Sequence, residues 1–585
     1  MEVTRTNFQE VLKELDEVLI NATFLSIDGE FTGLNSGPDA KPFDTPAQYY
    51  NKLKYGSMDF LFVQFGLSVF TYDEKIEKYN NRTYNFYVFP RPFNRSGPDC
   101  RFLCQASSIV FLASNGFNFN KLFKYGIPYL TAHDEEKISK KMEEMHKIRE
   151  DGLELIPISS DNKPQIEEIC AKIDEFLQTD AEELMIDRCN SYIRRIIYQE
   201  ARMRWQNKIR FECNDDTRGL IVYKMGTKEE EEKRKAERRE KEIMELKEAV
   251  GLSALLRKIA ESGKLIVGHN MLLDLCHIVH QFFGPLPDSY AEFKSLIHGL
   301  FPKLLDTKII AQSESFKELI PSSILGYMFD TINKSPFTMP DVIPVENRSY
   351  STLQKNYHEA GYDAYITGLC FIAMSNYLGS LQSEKISLVD PSSPLLNPFL
   401  NKLIIVRLRD YPYIHLVEND PNPNRDHVFH ITFPSAWKTS DITHLFSPFG
   451  GVLVSWLNDT SAYVGLNRRE QSLGLIKKLK KSGALNKIKI QPYASYQLSL
   501  EQHQQKPIKP IEGDRKRKHP STEVTKESCQ LDSKNTNEDN DGTSDGWELA
   551  SGKRRRKHGG AASMVNDKVE VKTEKQKTFT ETSWN

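Results

Sequence analysis

Phe24-Leu-Ser-Ile-Asp-Gly-Glu-Phe31 sets two carboxylates, Asp28 and Glu30, two residues apart in an otherwise apolar run. A strand alternates its side chains with period two, so both acids share one face and Ile27, Gly29 and Phe31 take the other. Two acids side by side on a buried strand repel each other and are costly unless a cation lies between them. The alternative is a strand end with both acids in solvent. Upstream, Phe8, Val11, Leu12, Leu15, Val18 and Leu19 follow the three-and-four spacing of an amphipathic helix. Downstream come two strand-like runs, MDFLFVQFGLSVF (58–70) and NFYVFP (85–90), and a helical stretch near Leu103 to Ser114. Helix, strands and helix in this order predict the start of a mixed α/β domain.

More acids of the same kind lie far along the chain. A buried strand, KLIVGHN (264–270), runs into MLLDLCHIVHQFF, which puts Asp274 four residues past Asn270 in a first helical turn. A lone acid there commonly serves the helix dipole, which is the alternative reading. In His358-Glu-Ala-Gly-Tyr-Asp363 the i, i+5 spacing does not stack two side chains on one helix. His358 is therefore expected on the loop before a helix and Asp363 in its first turns. Histidine can accept a proton near neutral pH, which suits a general base beside a metal-held water.

The 585 residues suggest roughly three to four domains at ~150 residues each. Lys and Arg total 78 against 80 Asp and Glu, a net of −2, so attraction to a polyanion must come from local basic surface. The eight cysteines form no CxxC pair, which argues for reduced thiols over zinc ligands or a disulfide frame. No apolar run approaches the ~18 residues of a membrane span, and MEVTRTNFQEVLKELDEVL lacks a signal-peptide core. Residues 1–149 and 250–395 read as one discontinuous α/β domain. Residues 150–227 form an insert whose helix 189–205 interleaves Arg194, Arg195, Arg202 and Arg204 with Tyr192, Tyr198 and Trp205. The run 228–249 reads as a solvated connector helix rich in i, i+4 pairs. A further α/β unit, 400–495, opens with LIIVRLR and HVFHITFP as strands. The polar tail, 505–585, cannot bury enough surface to fold alone. It carries two basic clusters, Arg515–Lys518 and Lys553–Lys557, each a nuclear-localisation signal or a phosphate contact.

Taken together, IDGEF, GHNMLLD and HEAGYDA resemble the three exonuclease motifs of the DEDD superfamily, whose fold is ribonuclease H-like. Asp28, Glu30, Asp274 and Asp363 match its four acids, and His358, five before the last, matches the histidine subclass. The tyrosine subclass places Tyr where Glu359 stands. The resemblance implies that the acids hold two Mg²⁺ ions and that His358 is the base. SIDGEFTG, MDFLFVQFGL, NFYVFPRPFN, SGKLIVGHNMLLDL and HEAGYDAYITGLCFIAM extend it to the poly(A)-specific ribonucleases. That family removes adenylates from RNA 3′ ends, releasing 5′-AMP.

Several site assignments follow from the resemblance alone. It implies that Phe31, Leu34, Asn270 and Lys308 contact RNA, although a surface lysine is the default for Lys308. The insert resembles a single-strand-binding domain named for Arg, three residues, then His, but Tyr198 and Gln199 stand where that His belongs. RNA binding there would rest on the remaining arginines and aromatics; a spacer or dimer contact is the alternative. The last unit resembles an RNA-recognition motif whose platform is damaged, with Ser461 and Asp459 in place of an aromatic and a basic residue. Trp456 would stack on the 5′ methylguanosine cap, since a cationic purine favours an indole face. The resemblance implies a homodimer, while the tail's basic clusters point to nuclear entry beside the cytoplasm, with the nucleolus left open. A DNA 3′-exonuclease and a non-catalytic RNA- or cap-binding protein are the competing functions.

Overall fold

In the computed structural model, which describes all residues except 94–98, 152–154, 207, 214–218, 352–354, 482, 484–487 and 505–585, strand β2 (Phe24–Phe31) runs through the middle of a seven-stranded mixed sheet. Its order is β1 (Glu2–Val3), β4 (Lys78–Tyr87), β3 (Phe62–Asp73), β2, β8 (Leu265–Gly268), β9 (Leu304–Asp306), with β10 (Val342–Pro344) beside β4. β2 pairs antiparallel with β3 and parallel with β8, so segments more than 190 residues apart in sequence meet at the two flanks of one strand.

The alternation read from the sequence sorts β2 onto two cores. Leu25, Ile27 and Phe31 join Phe8, Val11 and Leu15 of the Phe8–Asn21 helix and Leu255 and Ile259 of the Leu252–Ser262 helix. Phe24 packs on the opposite side with Tyr362, Ile366 and Leu369 of the Ala360–Ser380 helix. Ser26 Oγ donates to the carbonyl of Ala364 at 2.6 Å on that same side. Asp28 and Glu30 continue the face of Phe24 and Ser26, so period-two geometry aims them at the first turn of this helix.

The insert has its own sheet, β5 (Glu183–Ile186), β7 (Leu220–Lys224), β6 (Ile209–Cys213), all antiparallel. Helices Lys163–Gln178 and Ser191–Arg204 bury Ile166, Ile173, Phe176, Ile193 and Ile197 against it. The charged run forms the Lys228–Val250 helix, opened by a Thr227/Glu230 capping box.

The C-terminal sheet has the order β14 (Val452–Asn458), β15 (Ser461–Leu466), β13 (Val428–Thr432), β16 (Lys489–Pro492). The segment LIIVRLR is not part of it. Only Lys402–Ile404 is a strand, β11, and it makes a hairpin with β12 (Tyr413–His415). Leu403, Ile405, Leu408, Ile414 and Leu416 fill the core beside the seven-stranded sheet with Leu15 and Leu304, which is where their apolar surface is buried. Cys100, Cys104, Cys170, Cys189, Cys276 and Cys370 are free thiols. Among the described residues no helix is long and apolar enough to cross a membrane. Both basic clusters of the tail lie outside the described residues.

Candidate active site

Cross-strand register builds the site from β2. Asp28 stands opposite Gly66 and Glu30 opposite Gln64, after which the pairing shifts and Phe31 faces Phe62. The Ala360–Ser380 helix begins directly above β3. A Cβ on Gly66 would sit 2.0 Å from the Ala360 carbonyl oxygen, so only glycine lets the helix start here. Its first amides are held by the sheet: Ala360 N–H donates to Gln64 Oε1 at 3.1 Å, and Gly361 N–H to Asn85 Oδ1 at 3.3 Å. Those bonds satisfy orphan donors of the first turn and set Asp363 over the β2 acids.

His358 lies on the preceding loop with φ +67°, a left-handed conformation. Its backbone N–H donates to Asp363 Oδ2 at 3.0 Å, and its ring meets Phe111 edge-on at 4.6 Å between centroids. Such a conformation in a non-glycine residue is uncommon and is held here by the surrounding contacts. Candidate ligand atoms of Glu30, His358 and Asp363 all lie within 4.8 Å of one another. Asp274 arrives from the other flank of β2, in the first turn of the Leu272–Ile278 helix that follows β8.

Electrostatically the four acids form one unit. Burial, then repulsion from Asp363, Asp274 and Glu30, pushes the Asp28 pKa well above the usual carboxylate range. Burial and then Asp363 and Asp274 do the same to Glu30. Asp274 and Asp363 are each raised to about 7, chiefly by burial. Asp274 Oδ1 and Asp363 Oδ1 are buried without a hydrogen-bond partner. Orphaned carboxylate oxygens in a cluster of mutually repelling acids are what a divalent cation would satisfy, and an all-oxygen donor set suits Mg²⁺ or Mn²⁺. The residues present therefore fit a divalent metal centre.

The other candidates separate. Asn270, with φ +59°, is partly buried beside this site, and its N–H donates to Asp306 Oδ1 at 2.9 Å. Leu34 is partly buried, its N–H bound to Gln105 Oε1 at 3.2 Å. Phe31 is 5% exposed and sits in the core, edge-on to Phe62 at 5.2 Å and against the buried His277 ring at 4.6 Å. Lys308 is not a surface lysine. It is 4% exposed, and burial lowers its pKa while Asp306 acts in the opposite sense. Trp456 is half-buried, edge-on to Phe433 at 5.1 Å, and its indole N–H donates to Thr439 Oγ1 at 3.0 Å. In the insert, Tyr192 and Trp205 serve structure. The Tyr192 hydroxyl bridges Ser159 N–H and the Pro157 carbonyl, and Trp205, 4% exposed, donates to Asp174.

Sequence reading missed two supports of the site. A glycine in the middle of an apolar strand was the available sign of Gly66. Asp306, fully buried at the end of β9, accepts from Asn270 N–H, Lys308 N–H at 3.0 Å and Ile404 N–H at 3.4 Å. Its only sequence mark was an Asp closing the short run LLD before a helix.

A ribonuclease H-like sheet carrying four coupled acids with a histidine beside them defines a metal-dependent nuclease of the DEDD type. Residues 3–371 match the CAF1 family ribonuclease, and residues 418–499 an RNA binding domain. The chain belongs to the CAF1 family of ribonucleases, and it is a hydrolase. It is 41% identical over 515 residues to the Xenopus laevis "Poly(A)-specific ribonuclease PARN", covering 85% of this chain and 81% of that one. The human protein of the same name is 42% identical, covering 85% and 80%. The Bombyx mori "Pre-piRNA 3'-exonuclease trimmer" is 29% identical, covering 74% and 82%.

Proposed function

We propose that the protein is a 3′-to-5′ exoribonuclease that shortens poly(A) tails and releases 5′-AMP. The observation that carries the nuclease chemistry is the coupled cluster of Asp28, Glu30, Asp274 and Asp363 with His358 at its edge. The poly(A) substrate is supported by the relatives named for it. The four acids would hold two Mg²⁺ ions, which when bound supply an activated water and charge neutralisation at the leaving 3′-oxygen. His358 takes the proton from the attacking water. The left-handed backbone at His358 and its N–H bond to Asp363 Oδ2 fix the loop on which that base is carried. Phe31, Leu34, Asn270 and Lys308 are the proposed lining for the RNA 3′ end. Phe31 and Lys308 would act from below the surface, by shaping and charging the floor.

The test is a capped, 5′-labelled RNA with a terminal A-tract, incubated with Mg²⁺ beside Asp28→Ala. Shortening that stops at the edge of the tract, absent in the variant, is expected. Equal degradation through mixed sequence would sink the adenine preference, and binding without shortening would sink the enzyme. Stacking of the 5′ cap on Trp456 is part of the same reading and predicts cap-analogue quenching of its fluorescence, lost in Trp456→Ala. The reading extends to a homodimer, checked by light scattering. It also includes nuclear and cytoplasmic presence through the tail's basic clusters, checked by imaging variants that lack them.

A further inference from the structure

The sheet of the C-terminal domain is covered on both faces. On one, Ile431, Ala462 and Val464 pack against Ile442, Phe446, Leu475 and Leu479 of two helices. On the other, where a recognition motif would stack bases, Val428 and Tyr463 cluster with Phe43, which comes from the loop leaving the catalytic strand β2. A Cβ on Gly465 would stand 2.5 Å from the Phe43 ring, so the missing side chain is the seat for that phenylalanine. Tyr496, at the start of the Tyr493–Gln504 helix, stacks on His430 with ring centroids 3.6 Å apart and 5° between planes. Arg425 fastens the arrangement. It donates to Phe43 O at 2.8 Å, Tyr493 Oη at 2.7 Å, Asp44 O at 3.3 Å and Asp410 Oδ2 at 2.8 Å. Tyr463 and His430, at 8% and 6% exposure, are thereby withdrawn from stacking on bases across this face.

The same domain carries charge elsewhere. Arg468, Arg469, Lys477, Lys478, Lys480 and Lys481 are all exposed, and between residues 466 and 492 the only acid is Glu470. Leu475 and Leu479 turn the short Leu475–Lys481 helix so that its lysines face away from the sheet. None of the six is in ion-pair contact with a carboxylate among the described residues. A chain with a net charge of −2 thus concentrates positive charge without carboxylate partners, Lys478 resting over the Phe449 ring at 5.8 Å, on the helical side of a domain whose sheet is occupied.

We propose that this helical, basic side holds the phosphodiester backbone of single-stranded RNA, without reading its bases, and retains long substrates while their 3′ ends are cut. The proposal rests on the ribonuclease reading for its substrate. The test is the full chain carrying Lys477→Ala, Lys478→Ala and Lys481→Ala together, made also in an Asp28→Ala background so that binding is read without cleavage. The probes are fluorescein-labelled A20, U20 and A4. Three lost phosphate contacts reduce the slope of log K against log salt by about 2 for a single strand. A20 and U20 affinity should therefore fall together by about tenfold at low salt, with A4 cleavage by the Asp28-containing protein unchanged. An unchanged slope overturns the proposal, as does a loss confined to A20. Persistent cross-links from these lysines to acids of residues 532–548 in protein saturated with A20 also overturn it, by assigning the surface to the chain's own tail. Failure of the nuclease reading would show separately, as uncut A4 with salt-dependent A20 binding intact.

Discussion

Asp363 is held by one backbone N–H, from His358, and leaves its other oxygen without a partner in the buried cluster. His358→Ala should leave metal affinity, read by calorimetry, within a few-fold. It should lower kcat by about 10²–10⁴, the range for losing a general base. Asp28→Ala should abolish turnover and weaken metal binding together. Asp306 works one layer further out. Its carboxylate collects three backbone N–H groups, two of them bracketing the turn that carries Asn270 and the start of the next helix. Asp306→Ala should cost several kcal/mol, at ~1–3 kcal/mol per buried donor left unpaired. The measurement is urea unfolding monitored by tryptophan fluorescence. The five candidate side chains were legible as a set, because three motifs in order resemble those of one nuclease family. Asp306 was not, since nothing local shows that, beyond capping its own helix at Lys308, it also takes donors from residues 270 and 404.

At the scale of elements, strand β3 and the start of the Ala360–Ser380 helix meet at Gly66, and the repelling acids of the neighbouring β2 line that crossing. Gly66→Val should lift the helix start off β3. It should cost both folding stability and activity, with circular dichroism and the RNA-shortening assay falling together. The acids make the pH dependence of the metal-free protein unusual. Asp274 and Asp363 sit at about 7 in the folded chain, raised mainly by burial, against about 4 when unfolded. Between those values the folded chain binds more protons than the unfolded one. Stability therefore falls as pH rises from about 4 through about 7, and Asp28 and Glu30, raised well above the usual carboxylate range, add to the same decline. Scanning calorimetry in EDTA should show that decline, and saturating Mg²⁺ should abolish it by rewarding the ionised acids. Period-two and helical periodicity gave these elements directly. The exception was LIIVRLR, whose apolar content reads equally as a strand of either domain until the partner surface is known.

Across the whole molecule, Arg425 is the tie between the nuclease and the C-terminal sheet, with its side chain 5% and that of Asp410 3% exposed. Removing one member of a buried pair strands the other, at ~3–5 kcal/mol. Arg425→Ala should therefore unfold the interface first, seen as hydrogen exchange at 40–45 and 428–432 rising before the nuclease core. Asp410→Leu with Arg425→Met should recover much of that loss. The insert reads differently. Arginines and aromatics alternating on one helix suggested a stacking surface, yet Tyr192 and Trp205 are spent on hydrogen bonds within their own fold. Alternation on a helix distributes residues around its circumference, and only the neighbouring strands decide which arc is buried.

The sequence by itself determined the chemistry of this protein. Paired acids on a strand, an acid in a first turn after a strand, and His358 before Asp363 each left a structural alternative open, and it was their order and resemblance to the DEDD motifs that pointed to a metal-dependent nuclease. The tertiary structure decided what those motifs stand on. Gly66 beneath the helix start, Asp306 gathering the distant amides of Asn270 and Ile404, Lys308 buried and not exposed, and Phe43 closing the recognition sheet all depend on contacts between residues far apart in the chain. Local periodicity fixes which face a side chain takes, while the identity of what covers that face comes only from packing.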